Sequence, residues 1–372
     1  MNPNNLLYLI LLFTPISNIF DYYFPVTIFG FSFWNTFIVL IAIHFLLVLS
    51  KIKRNDIIII LFFIFFAILI SFVRTNIYET EFSINILSFW PLYTLLVFLI
   101  AIKKLNISAK IVSQICLIHI IFYGTIGTLY LFGLPTIEIQ SEFTSLYLSD
   151  TIHRYEGIVS ASNIHSNYLV TFLFIYILIS HKKKFHLIIL FPLAFLSIFS
   201  TASRLPLLIA FLILIHQFFK HHKILIIPVA IIFYYSALSY GLLELDLRIL
   251  TNGFNDINRI EKTKLFFDLM GSNFLEILTF GVEPSFLFSD NVSISDNSFT
   301  LIFLNFGIIF FIIWMFLIKA SYNSFFKYLM RNKIFFISIF LIFLLNNAIL
   351  YLSWSLFIIT YVHLMGLKHK SE

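Results

Sequence analysis

The chain has 372 residues, of which 60% are apolar and 11% charged, and its mean hydropathy is +0.98. That balance excludes a soluble globular domain. The net charge of +6 would suit a nucleic-acid partner, but its placement along the chain is topogenic, so none is expected.

A bilayer-spanning helix needs about 20 predominantly apolar residues, and such runs recur from end to end. Spans are predicted at 5–20, 31–50, 57–73, 84–102, 111–133, 164–180, 185–203, 205–219, 224–242, 298–318, 334–349 and 351–366, the last two as a tight hairpin. The first, Asn5–Phe20, has no basic leader and no small-residue cleavage site, and reads as an uncleaved span. The expected fold is an all-α polytopic membrane protein with about 12 transmembrane helices, one integral domain over residues 1–372. The single cysteine, Cys116, sits in an apolar run, leaving no disulfide and no Cys-based metal site.

Charge sets the topology. On the side of the termini these spans place 17 of the 24 basic residues, including Lys51, Lys53, Arg54, Lys103, Lys104, Lys182 to Lys184, Lys327, Arg331 and Lys333. The other side has 7: Arg74, Arg154, Arg204, Arg248, Arg259, Lys262 and Lys264. The positive-inside rule puts both termini in the cytoplasm of a bacterial inner membrane. Of the 18 acids, only Asp56 and Glu372 fall on that side. No predicted span carries Asp, Glu, Lys or Arg in its middle, where ion-coupled transporters keep their ionisable groups. His44, His119, His165, His216 and His363 lie in or near spans and read as packed structural histidines. The cytoplasmic connections are short and hold no phosphate-binding G-x-x-x-x-G-K-[ST] loop. Any reaction therefore uses a substrate already activated, on the outer face.

Two outer segments stand out. Residues 134–163 form the smaller, with His153-Arg154-Tyr155-Glu156-Gly157 and then Asn163-Ile-His165-Ser-Asn167 leading into a span. Residues 243–297 form the larger, at 55 residues far longer than any other connection. A loop of that length is functional or disordered. Between them, Thr201-Ala-Ser203-Arg204 makes a short outer turn. Arg154, Arg204 and Arg259 thus face one side, each near a membrane boundary, with Asp296-Asn297 where the tenth span begins. Arginine's planar fork matches phosphate oxygens bidentately, so these three could clamp a lipid-linked pyrophosphate. Asp296 could take the proton from an attacking sugar hydroxyl, with Glu156 as the other acid in reach. Plainer readings stand beside these. Arg204 could cap the preceding helix, Asp296 could be an N-cap, and Glu156 and His153 could be a surface pair with Arg154. Arg74, Arg248, Lys262 and Lys264 read as interfacial anchors or solvated charges.

The ordered set Arg154…Gly157…Asn163-x-His165-x-Asn167, Thr201-x-Ser203-Arg204, Asn258-Arg259, Gly281-Val282-x-Pro284 and Asp296-Asn297-Ser298-Phe299…Phe306-Gly307-Ile308 resembles the O-antigen polymerase and O-antigen ligase family, over roughly 154–317. The resemblance implies a metal- and nucleotide-independent membrane glycosyltransferase of the GT-C type. Its substrate would be an undecaprenyl-pyrophosphate-linked oligosaccharide, with membrane lipids and a chain-length regulator protein as further partners. It assigns Arg154, Arg204 and Arg259 to the pyrophosphate, Asn297 to the glycan, and catalysis to Asp296 with Arg259 and Glu156. Ligases of this family carry His-Asn where this chain has Asp296-Asn297, which favours a polymerase over a ligase. Glu283 stands where members often have the second glycine of a G-x-G turn. A flippase of lipid-linked sugar is the reading from another class.

Overall fold

The computed structural model describes residues 2–23, 27–28, 31–32, 52–79, 81–82, 86–137, 155, 162–180, 184–201, 203–221, 271, 274–282, 298–345 and 352–371. In chain order these form α1 (Pro3–Phe13), a 3-10 turn (Thr14–Ile16), α2 (Ser17–Tyr23), α3 (Arg54–Tyr78), α4 (Ile86–Ile102), α5 (Ala109–Leu131) and α6 (Ser162–Ile179). Then follow α7 (Lys184–Ser200), α8 (Arg204–His221), α9 (Phe274–Phe280), α10 (Ser298–Ser321), α11 (Phe325–Leu329), α12 (Lys333–Leu345) and α13 (Leu352–Ser371). The only pleated structure described is a two-residue antiparallel pair, Thr27–Ile28 with Phe31–Ser32. Residues 33–50 of the predicted span 31–50, the predicted span 224–242 and most of the two outer segments lie outside the described residues; Phe31–Ser32, at the start of the first, are in the β pair.

Among the described residues, three helices are long and apolar enough to cross a membrane: Arg54–Tyr78, Ala109–Leu131 and Ile302–Ser321. The α3 helix shows why lipid is its solvent. Its 25 residues reach ~37 Å at 1.5 Å per residue. Phe63, Ala67, Ile70, Ser71 and Arg74 fall on one stripe at helical spacing and are buried. The opposite stripe, Ile58, Leu61, Phe65, Ile68 and Phe72, is exposed and wholly apolar. Water would select polar residues there; hydrocarbon does not.

Helices α1, α5, α6, α7 and α8 pack as one group and α3, α4, α9 and α10 as another, with α13 against both. Inside lipid, association rests on close packing and on hydrogen bonds. The tightest pair is α5 on α7, which meets at Gly124 and Gly127. A Cβ on Gly127 would overlap the Ser197 side chain, and one on Gly124 would lie 2.8 Å from Leu193 Cγ. At the basic end, Asp56 is buried between Lys103 and Lys104, both at 3.4 Å. Nearby, His363 Nε2 donates to Leu105 O (3.0 Å) and its Nδ1 faces Tyr322 Oη (3.3 Å). Because Leu105 O can only accept, Nε2 carries the proton and Nδ1 accepts from the tyrosine. Burial pushes the Tyr322 hydroxyl up to about 12, so it remains a donor.

Two predicted spans differ from regular helices. The first, at 5–20, is interrupted at Pro15. Proline has no N–H, so Leu11 O loses its partner four residues on. His119 Nε2 supplies the missing donor at 3.0 Å, and Tyr123 Oη donates to Pro15 O at 2.5 Å. The tenth, at 298–318, is broken at Gly307, whose φ is +73°.

Replacing Gly127 by valine should lower the midpoint of thermal unfolding in detergent, by about 1–3 kcal/mol of overpacking. Gly271→Ala should leave it unchanged, since nothing lies within 4 Å of the added methyl. Tryptophan fluorescence during a thermal ramp checks both.

Candidate functional site

From the charge asymmetry, the end where α3, α5 and α7 finish and α6, α8 and α10 begin is expected to face outward. Two buried polar clusters occupy it among the described residues.

The first surrounds Arg74, which is only 2% exposed. Its Nη1 donates to Val282 O at 3.1 Å and to Asn305 O at 2.5 Å. One turn further along α3, Tyr78 Oη donates to Gly281 O at 3.1 Å. The acceptors belong to two segments more than 20 residues apart in sequence, the end of α9 and the break in α10. Those segments also bond directly, Val282 N–H to Leu304 O at 2.6 Å. The approach needs both glycines. Gly281, at φ +82°, closes α9 by donating to Ile277 O (3.0 Å), and a Cβ there would lie 2.6 Å from Leu304 O. Gly307 passes so close to the Thr279 carbonyl that no side chain would fit. The break disrupts the i to i+4 bonding of α10, and Arg74 and Val282 N–H occupy carbonyls at it.

This corrects the reading of Arg74 as an interfacial anchor. Its sequence signal was register: Arg74 is i+3 from Ser71, i+4 from Ile70 and i+7 from Ala67, on the packed stripe of α3 rather than its lipid-facing one.

The second cluster surrounds Tyr155 and His165. The Tyr155 side chain is fully buried, with its ring against Tyr130 (4.7 Å) and His165 (5.1 Å). Its backbone N–H donates to Ser200 O at 3.2 Å and its Oη to Ile137 O at 3.0 Å. His165 Nε2 meets Ser197 Oγ at 3.0 Å, and Ser197 Oγ in turn donates to Tyr123 O at 2.9 Å. With its only proton committed to that carbonyl, Ser197 must accept from His165, which fixes Nε2 as the protonated nitrogen. Asn167, 3% exposed, has neither amide atom paired among the described residues.

Arg154, Glu156, Arg259, Asp296 and Asn297 lie outside the described residues, as does the side chain of Arg204. What the structure gives is their surroundings. Arg204 is the first residue of α8, directly after the end of α7. There, Ser197 O accepts from Ser200 Oγ (2.7 Å), Ile198 O from Thr201 Oγ1 (2.6 Å) and Ser200 O from Tyr155 N–H (3.2 Å). The carbonyls that Arg204 was offered as a cap for are thus held by other groups. Helix α10 begins at Ser298, so Asn297 rather than Asp296 precedes it directly. His119, His165 and His363 are buried and each engages a backbone carbonyl or a hydroxyl, as structural histidines do. No group of three or more His, Cys, Asp or Glu among the described residues could hold a metal.

No family model, curated protein or solved structure matches this chain.

Charged donors to buried carbonyls contribute about 1.5–3 kcal/mol per bond. Arg74→Met should therefore lower the unfolding midpoint and expose residues 274–282 to protease added from the outer side of oriented vesicles. Tyr78→Phe, which removes one neutral bond, should cost about 1 kcal/mol. Equal protease protection in wild type and Arg74→Met would remove Arg74 from this role.

Proposed function

We propose that the chain is a multi-pass inner-membrane glycosyltransferase of the GT-C type, with about 12 spans and both termini cytoplasmic. It acts as a polysaccharide polymerase of the O-antigen or capsule kind. It transfers a growing glycan from undecaprenyl pyrophosphate to the terminal sugar of the next lipid-linked repeat unit, on the outer face.

The observation that carries this reading is that the segments bearing the family resemblance meet in pairs. Tyr155, which stands between Arg154 and Glu156 in sequence, donates its backbone N–H to Ser200 O, shortly before Arg204. The Gly281-Val282 segment is seated in the break at Phe306-Gly307. Pairing of this kind supports a composite site built from remote parts of one face, as the resemblance implies.

In that site Arg154, Arg204 and Arg259 bind the pyrophosphate. They offset the charge that develops as the bond from the glycan's anomeric carbon to phosphate oxygen breaks. Asp296 accepts the proton of the acceptor hydroxyl as that oxygen bonds to the anomeric carbon, with Glu156 as the other acid available. Asn297 contacts the glycan. Lipid-linked pyrophosphate is a leaving group already activated, so the reaction needs no nucleotide, and no metal or cofactor is invoked. The ligase alternative differs only in acceptor, and Asp296 in place of a histidine weighs against it.

Polymer formation from purified lipid-linked repeat units tests the clamp. Lysine keeps the charge but loses the bidentate fork, so Arg259→Lys and Arg259→Ala should both fall by about 30- to 1,000-fold, equivalent to roughly 2–4 kcal/mol. Lys264→Ala should stay near normal. Wild-type polymer from Arg259→Lys would mean that a point charge suffices.

Asp296→Asn keeps size and capping ability but not basicity, and should give single-repeat product only. A normal glycan ladder from that variant would move the base to another acid. Topology is checked separately: reporters fused after Lys184, Lys223 and Lys333 should read cytoplasm, and those after Asp150 and Ser272 the outer side. A cytoplasmic signal after Ser272 would take the long loop away from its substrate.

A further inference from the structure

A cavity of about 390 Å³ lies at the other end of the bundle, between α4, α10, α11, α12 and α13. Its volume is that of a small-molecule site, yet its walls are almost wholly apolar, with Leu99, Trp314, Phe326, Ile339, Phe343 and Ile358 among them. Hydrocarbon is the ligand such walls select.

Two further observations say which hydrocarbon. Helix α11, whose Phe325, Phe326 and Leu329 line the cavity, lies within the connector Lys319–Lys333. That connector carries Lys319, Lys327, Arg331 and Lys333 and no acid. The three lysines are exposed. Basic residues between helices on the cytoplasmic side attract anionic lipid headgroups, at about 1 kcal/mol for each lysine near the surface. The second observation is Trp314. It lines the cavity, is 4% exposed, and its Nε1–H has no hydrogen-bond partner among the described residues. Trp314 stands five residues before Lys319 on α10, ~7.5 Å along the axis from the basic rim. The glycerol esters of a phospholipid lie just beneath its phosphate, and an ester carbonyl would accept from that N–H.

We propose that this cavity holds one acyl chain of an anionic phospholipid from the cytoplasmic leaflet. Its phosphate lies among Lys319, Lys327 and Lys333, and an ester carbonyl accepts from Trp314 Nε1–H. The site shares α10 with the Asp296-to-Ile308 motif but none of its residues is assigned to glycosyl transfer, and the proposal is independent of that assignment. It uses the charge-derived orientation only to name the leaflet.

The full chain, purified from bacterial membranes in mild detergent, is examined by native mass spectrometry with identification of the extracted lipids. About one anionic phospholipid per chain is expected to survive washing. Leu99→Trp and Ile358→Trp fill the cavity and should reduce retention by about tenfold or more, a change of at least ~1.4 kcal/mol. Leu208→Trp, at an exposed position on α8, should not change it. Ser355→Leu adds less bulk to the same wall and serves if the tryptophan variants fail to fold. Lys327→Glu with Lys333→Glu should shift retention from anionic towards zwitterionic phospholipid by about tenfold.

Several results would overturn the proposal. Wild type carrying no lipid would do so, as would an isoprenyl lipid in place of the phospholipid, or equal retention in all cavity variants. A lipid-free dimer would assign the cavity to a second copy of the chain instead.

Discussion

A backbone carbonyl that loses its helical partner inside a bilayer has no water to turn to, and leaving it unpaired costs several kcal/mol. That constraint accounts for Arg74, His119 and Tyr123 among the buried polar side chains described. Pro15 strands Leu11 O, and His119 reaches across from α5 to occupy it; Tyr123, one turn further on α5, takes Pro15 O itself. Gly307 breaks α10, and Arg74 and Val282 N–H occupy carbonyls at the break. In each case the defect in one helix is repaired by another element. The repair therefore also fixes how those elements sit against each other.

The same repairs separate structural polarity from chemical polarity. By sequence Arg74, like Arg154 and Arg204, is expected on the outer side. Arg74 nonetheless points its guanidinium at carbonyls of its own chain, so it holds the fold and is not assigned to the pyrophosphate. In the turn before Arg204, by contrast, the carbonyls of Ser197, Ile198 and Ser200 accept from Ser200, Thr201 and Tyr155.

Helices and their lipid-facing stripes were legible in the sequence because an apolar run of about 20 residues has few other uses. Asp56 on the basic side was legible through charge alone, and so was the distinctiveness of the outer segments. The interruptions were harder. Pro15 was visible, but its consequence depends on whether a donor from another helix reaches Leu11 O. Gly307 sat in a quoted motif without any sign that it breaks the helix, since glycine is common in membrane helices. Arg74 was misread because the spans were scored by composition, whereas its role follows from its register on α3. The candidate site is legible mainly as a list of residues. Its pairing shows only in long-range bonds such as Tyr155 to Ser200, whose partners no periodicity connects.

In the proposed transferase the reacting groups belong to segments between helices, and two described residues beside those segments make long-range backbone bonds. A charged clamp for pyrophosphate must stand at headgroup height, where helices end and backbone order is hardest to maintain. Tyr155 and Val282, each beside a segment of the proposed site, are hydrogen-bonded to Ser200 O at the end of α7 and to Leu304 O at the break in α10. The anchors themselves are uncharged backbone bonds and one buried guanidinium already committed to carbonyls, so they do not compete for the substrate's phosphates. In the proposed site the mutual repulsion of several arginines would fall as the pyrophosphate binds.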